Sequence, residues 1–153
     1  MKPQPFAVMP DAHARALNVV GEKITVLASN AATHGYEVFL QQGEAGSGPP
    51  PHSHDWDESF YVTRGTIAIG YGDEVITATA GTFVHVPAGT VHHFQFGPAG
   101  GEMISVTSHD GHASHLFTRL DEEIPPGPPD IGKLLAVAQE CGVTIAGPDA
   151  PPA

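Results

Sequence analysis

His52 and His54 stand one residue apart, Glu58 follows four residues later, and His92 lies on a later stretch of the chain. Imidazole nitrogens and a carboxylate oxygen are the donors that hold a divalent transition metal. In an extended strand, residues two apart point the same way. His52 and His54 therefore share one face, and if the strand runs on, Glu58 shares it by parity. Imidazoles so placed converge on one ion about 2.0–2.1 Å from each. His92, from a different strand, closes the site, and His93 beside it must then face away. An H-x-H pair alone is common on protein surfaces. The framing sets this one apart: Gly46-x5-His52-x-His54-x3-Glu58-x6-Gly65, then Gly81-x5-Pro87-x-Gly89-x2-His92, in that order.

These residues need strands to position them, and the surrounding pattern supplies strands. Leu17 to Val20 and Lys23 to Ala28 read as a hairpin about Gly21-Glu22. Further strands are expected at Tyr36–Gln41, Ser59–Arg64, Thr66–Tyr71, Glu74–Thr79, Thr82–Val86, Val91–Phe96 and Glu102–Ser108, with breaks at Gly65, Gly72-Asp73, Ala80-Gly81, Pro87-Ala88-Gly89 and Gly97–Gly101. Many short strands at close spacing indicate a sandwich or barrel. After Asp110-Gly111 the period changes: Ala113, Leu116, Phe117 and Leu120 fall at helical spacing. The run IPPGPPD then leads to a second helix, capped by Asp130, with Ile131, Leu134, Leu135, Ala138 and Cys141 on one face and Gly142 as its stop. Each helix has one apolar stripe, so both are expected to pack outside the barrel. The organisation expected is an N-terminal arm (1–14), a β-barrel (15–108), and a C-terminal helical extension and tail (109–153).

The formal net charge is −11, from 17 acidic and 6 basic residues. This argues against nucleic acid and anionic membrane surfaces, which attract Lys and Arg. The N-terminus carries no apolar run of signal-peptide length, and no later segment is long and apolar enough to span a bilayer. The single Cys141 cannot form an internal disulfide and is expected as a buried thiol. The expectation is a soluble cytoplasmic protein.

The two framed blocks closely resemble the motifs of the cupin family. The resemblance covers roughly Tyr36 to Ser108 and implies an all-β cupin jelly-roll barrel, with His52, His54, Glu58 and His92 as ligands of one divalent transition metal per chain. Where the second cupin motif often ends in Asn, this chain has Phe96, which is not a ligand position. Three His and one carboxylate around a six-coordinate ion leave two open positions. That suits Fe(II), Mn(II), Ni(II) or Co(II). Zn(II) favours four ligands and leaves less room, although His-rich sites bind it. The runs PPHSHDWDESFYVTRG and VHVPAGTVHHF, with the PPGPPD segment leading into a helix, resemble the short cupins that are quercetin (flavonol) dioxygenases. That resemblance implies a catalytic role for Glu58: its carboxylate takes the proton of the substrate's 3-hydroxyl before O2 opens the ring with loss of carbon monoxide. A non-oxidative cupin enzyme, an isomerase or polyketide cyclase, could use the same ligands, and a cupin that binds a small molecule without turnover is the other alternative, against which the intact four-ligand set argues.

Parity also addresses the substrate. If Glu58 and His92 point inward, so do Phe60, Val62, Phe94 and Phe96. On the strand before the second block, either Phe83 and His85 or Thr82, Val84 and Val86 face in. A wall of Phe and Val suits a small apolar or aromatic substrate, with O2 as co-substrate, and offers a phosphate or dicarboxylate no cation. Asp55 and Asp57 are expected outward, with Asp57 a further candidate for orienting a ligand histidine. His109, His112 and His115, with Arg119, fall at one-face helical spacing and are expected as a solvated face. An open sheet edge and the loosely patterned hairpin point to a homodimer. Because imidazole must be neutral to ligate, metal content should fall as pH drops through about 6. Elemental analysis after equilibration between pH 5 and 8 checks this, and a constant content across that range would exclude the three histidines as ligands.

Overall fold

The computed structural model describes residues 2–108 and 111–146. A short 3-10 turn, Pro10–Ala12, precedes β1 (Leu17–Val19), β2 (Glu22–Ala28), the single helical turn α1 (Asn30–Thr33) and β3 (Glu37–Gly43). Then come β4 (His52–His54), β5 (Glu58–Tyr71), β6 (Glu74–Thr79), β7 (Phe83–Val86) and β8 (His92–Thr107), followed by α2 (Ala113–Glu123), α3 (Ile131–Glu140) and β9 (Val143–Ile145). The chain is mostly β, as expected, and among the described residues nine strands form one sheet curled into a jelly roll with the two C-terminal helices outside it.

Two long strands form the spine. β5 and β8 run antiparallel from the Glu58↔Thr107 pair to the Tyr71↔His92 pair, with register shifts after Val62 and after Gly65. The sequence reading ends strands at Gly65 and Gly97–Gly101, but both strands run through these glycines. Gly65 pairs with Gly101, and Gly65 has φ +73, a left-handed conformation in which the strand bends without losing its ladder. One half of the spine pairs with β3 and β7, the other with β4 and β6. The bend thus folds one sheet over onto itself.

Parity resolves at β7. Val84 and Val86 are buried, while Phe83 and His85 are exposed. They join Phe60, Val62, Ile67, Ile69, Phe94, Phe96 and Met103 in an apolar cluster inside the roll. A second cluster lies between the β1–β3 wall and the helices and includes Ile24, Phe39, Trp56, Leu116, Leu120 and Val137. Phe39 is fully buried and meets Phe117 of α2 edge-on at 5.0 Å. Glu37 of β3 fastens the start of α2, its carboxylate accepting from Ser114 N at 3.0 Å. Asp121 of α2 accepts from the backbone of Asn18 at 2.8 Å and pairs with Arg15. Asp130 caps α3, accepting from Lys133 N at 3.1 Å. Cys141 is buried in the helical cluster, as the sequence indicates. The sequence reading did not foresee β9, which follows α3 and lies along β4.

The sequence reading gives Gly65 and Gly81 the same turn-forming role, yet their surroundings differ. A Cβ on Gly65 would stand 2.2 Å from Gly100 O, whereas one on Gly81 (φ +94) meets nothing within 4 Å. Gly81→Ala should cost only the left-handed backbone penalty, about 1–2 kcal/mol. Gly65→Ala adds a collision with backbone and should cost clearly more. Urea unfolding midpoints of the two variants test this, and equal losses would contradict the role of the bend.

Candidate metal centre

The three residues of β4 are held on both sides. His52 pairs with His92 of β8, and His52, Ser53 and His54 pair with Ile145, Thr144 and Val143 of β9. Alternation puts His52 and His54 on one face. The strand does not continue to Glu58. The chain bends over Asp55–Asp57, and Glu58 begins β5, a different ladder. Glu58 still converges on the histidines because β5 and β4 are joined through β8.

The result is a compact cluster in which one ligand atom from each of His52, His54, Glu58 and His92 lies within 4.8 Å of the others. Glu58 Oε1 lies 3.3 Å from both His54 Nε2 and His92 Nε2. The His52 and His92 rings are 4.2 Å apart. His92, His54 and Glu58 are buried, and His52 is partly so. His54 stacks flat on Trp56, with centroids 4.2 Å apart and planes at 6°.

The opposite edge of each imidazole faces a backbone carbonyl. His52 Nδ1 lies 2.9 Å from Pro50 O, His54 Nδ1 2.9 Å from Trp56 O, and His92 Nδ1 2.8 Å from Thr90 O. A carbonyl oxygen only accepts, so each Nδ1 donates. In the neutral ring this leaves the Nε2 lone pair as an acceptor aimed at the cluster. Three nitrogen lone pairs and a carboxylate then face one another with no donor among them, an arrangement that protons or a cation must fill. The donor set, its burial and its orientation fit a divalent metal ion.

Electrostatics agree. With no ion present, protons fill that gap: burial alone would raise the Glu58 carboxyl, but hydrogen bonds from the His54 and His92 rings outweigh it and lower it to about 2. Burial, with His92 nearby, lowers His52 to about 4. Both shifts keep the ligands in their binding forms at neutral pH.

Beside the cluster lies a cavity of about 210 Å³, lined by His52, His54 and Glu58 at one end. Its wall is largely apolar and comes from the β1–β2 hairpin, Phe94, Trp56 and the inner faces of α2 and α3. Ile131 and Leu135 line it and remain exposed, so it reaches the surface beside α3. All four inward phenylalanine and valine candidates are buried, but they divide. Phe94 lines the cavity, whereas Phe60, Val62 and Phe96 pack within the roll. Among the described residues, no Lys or Arg lines the cavity.

Other candidates also find their places. The Asp57 carboxylate accepts from Ala88 N at 2.9 Å and so holds the turn before His92 rather than a histidine ring. His93 faces away, its ring over Gly70. His112 and His115 are exposed, His112 lies edge-on to Trp56, and Arg119 pairs with Glu123 and Glu140. His109 and Asp110 lie outside the described residues. Sequence reasoning passed over three cavity residues: Glu22, Gln41 and Trp56. The parity of Glu22 with Ile24 could have revealed the first.

The shifted groups set the acid stability of the metal-free protein. His52 falls from 6.5 unfolded to about 4 folded, and Glu58 from 4.5 to about 2. In both cases the unfolded chain takes up a proton first as pH falls. Stability should therefore decline from pH 6.5 to 4 through His52 and from pH 4.5 to 2 through Glu58, against an opposite gain as pH falls from 8 to 4.5 through Glu22, which the folded chain protonates first. His52→Gln should flatten the upper part of that decline. Urea midpoints against pH, with chelator present, measure it; an unchanged profile in the variant would remove His52 as its cause.

The comparisons with known proteins concern this same region. Residues 37–107, which contain all four candidate ligands, match the family described as "Cupin domain". No curated protein matches the chain. Among solved structures, the chain is similar to an RmlC-like cupin from Shewanella frigidimarina, at 20% identity and TM-score 0.62, with 71% of this chain and 94% of that one covered. It is similar to KdgF from Halomonas sp., at 18% identity and TM-score 0.63, with 69% and 94% covered. It is also similar to the polyketide cyclase RemF from Streptomyces resistomycificus, at 17% identity and TM-score 0.61, with 70% and 81% covered. The family match and the shared architecture agree on the fold, which is that of the cupins.

Proposed function

We propose that the chain is a metal-dependent dioxygenase that cleaves a flavonol-like, quercetin-type enol with O2. The observation that carries this reading is that His52, His54 and Glu58 line the same cavity as a largely apolar wall. A flat enol has matching halves, an oxygen-bearing edge and an apolar body. A divalent ion held by the four side chains would supply Lewis acidity and open positions for the reactants.

The chain's own residues account for the rest. Glu58 reaches the cavity as a carboxylate and is the group placed to accept a substrate hydroxyl proton. The carbonyls of Pro50, Trp56 and Thr90 stop the imidazoles from turning away. Phe94, Trp56 and the helices exclude water, which strengthens the electrostatics within. With no Lys or Arg in the wall among the described residues, a phosphate or dicarboxylate finds no partner away from the metal.

The test is to load the protein with Ni, Co, Mn or Fe in turn, add quercetin, and follow O2 uptake and loss of flavonol absorbance. Turnover with at least one metal is expected; none with any would end this reading. Glu58→Gln should keep part of its metal and lose about 10²-fold or more in rate.

One observation favours a second reading, a non-oxidative metal-dependent enzyme of isomerase or cyclase type. At about 210 Å³ the cavity is smaller than the roughly 300–1,000 Å³ usual for drug-sized ligands. That favours an enol smaller than a three-ring flavonol, and the similarity to a polyketide cyclase is compatible with it. Turnover under argon would establish this reading. Binding without product under either atmosphere would instead make the chain a small-molecule-binding cupin.

A further inference from the structure

The cavity wall holds polar atoms for which the fold supplies no use. Glu22, Gln41 and Trp56 line it and are 5%, 2% and 3% exposed. Among the described residues, Glu22 Oε1, Gln41 Oε1 and Trp56 Nε1 are buried without a hydrogen-bond partner. Each such atom costs about 1–3 kcal/mol of desolvation when nothing pairs with it. Natural proteins rarely leave three around one cavity unless something fills it.

Their placement is a consequence of register. Ile24 pairs with Gln41, so Glu22, two residues from Ile24, shares the inward face of the β2–β3 wall with Gln41. Gln41 is fixed by donating from Nε2 to Ser105 Oγ at 2.7 Å, which leaves its carbonyl oxygen to the cavity. Trp56 is fixed by its stack on His54, so this cavity residue stands directly beside the candidate metal cluster.

We propose that Glu22, Gln41 and Trp56 form a second recognition subsite in this cavity, which takes a hydroxyl group carried by the body of an aromatic or enolic substrate. A hydroxyl donates one hydrogen bond and accepts others. It can donate to the Gln41 or Glu22 oxygen and accept from the Trp56 N–H. Burial, with the Glu58 charge second, raises the Glu22 carboxyl to about 8. Kept neutral, it too can donate, and it does not call for a cation. An anionic ligand group would meet two carboxyl side chains and no Lys or Arg.

This inference rests on the reading of the cavity as a substrate site and extends it: the substrate bears one hydroxyl for Glu58 and a second for the Glu22, Gln41 and Trp56 group. The experiment is a titration of the full chain as purified with phenol and with resorcinol, which differ by one hydroxyl and do not chelate. Trp56 is the one tryptophan in the sequence, so its fluorescence reports occupancy directly. Resorcinol should bind about tenfold or more tighter than phenol, and Glu22→Met and Gln41→Met should each reduce that preference. Glu22→Met should also raise the unfolding midpoint, because a residue kept for binding is a burden on the fold. Equal binding of the two probes, binding of neither, a preference unchanged in both variants, or a lowered midpoint in Glu22→Met would each overturn the subsite. None of these readouts needs turnover. A failed O2 assay with an intact hydroxyl preference removes the dioxygenase reading alone, and turnover without the preference removes the subsite alone.

Discussion

The pairing of β5 with β8 is the constraint on which the rest of the structure depends. Both strands bend at the same place, Gly65 against Gly101, and the ladder survives the bend. One half of β8 carries His92 and Phe94; the start of β5 carries Glu58 and Phe60. Straight strands would place Glu58 and His92 at opposite ends of a flat ladder, since Glu58 pairs with Thr107 and His92 with Tyr71. Folding the sheet at the glycines closes that distance to 3.3 Å between side-chain atoms. The backbone freedom of a glycine and the convergence of a metal site are thus parts of one arrangement.

Within the centre, small local bonds decide the chemistry. Three backbone carbonyls take the Nδ1 protons, and each ring is left with its lone pair directed inward. Two of those carbonyls come from residues two positions before the histidine, at Pro50 and Thr90, and one from two positions after, at Trp56. Short-range turns around the candidate ligands therefore set their tautomers. Burial pushes His52 toward neutrality in the same direction.

The C-terminal segment does more than cover the roll. α2 and α3 supply much of the cavity wall, and β9 returns to pair with β4, the strand that carries two ligands. The segment outside the cupin match thereby shapes both the chamber and the support of the site. Against this apolar wall, Glu22, Gln41 and Trp56 stand out as polar atoms without partners.

The strand alternation, the turns and the two amphipathic helices were legible in the sequence because each rests on local rules of parity, capping and glycine punctuation; the four candidate ligands were legible through their framed motifs, since the strand of His52 and His54 stops short of Glu58. His52, His54, Glu58 and His92 do converge, and Asp130 does cap its helix. Other features depend on segments far apart in the chain. Gly65 reads as a strand break, yet its pairing with Gly101 turns it into a bend within one strand. On β3 the polar Glu37 and Gln41 face inward with Phe39 while Val38 and Leu40 are less buried, the reverse of what hydrophobicity suggests. Phe60, Val62, Phe94 and Phe96 share parity and one inner cluster, yet Phe94 alone of the four meets the cavity. The sequence by itself determined which side chains can bind a metal and which way neighbours alternate, because those follow from covalent spacing. Tertiary structure decided which inward face becomes core and which becomes cavity, because that depends on what a distant segment packs against it.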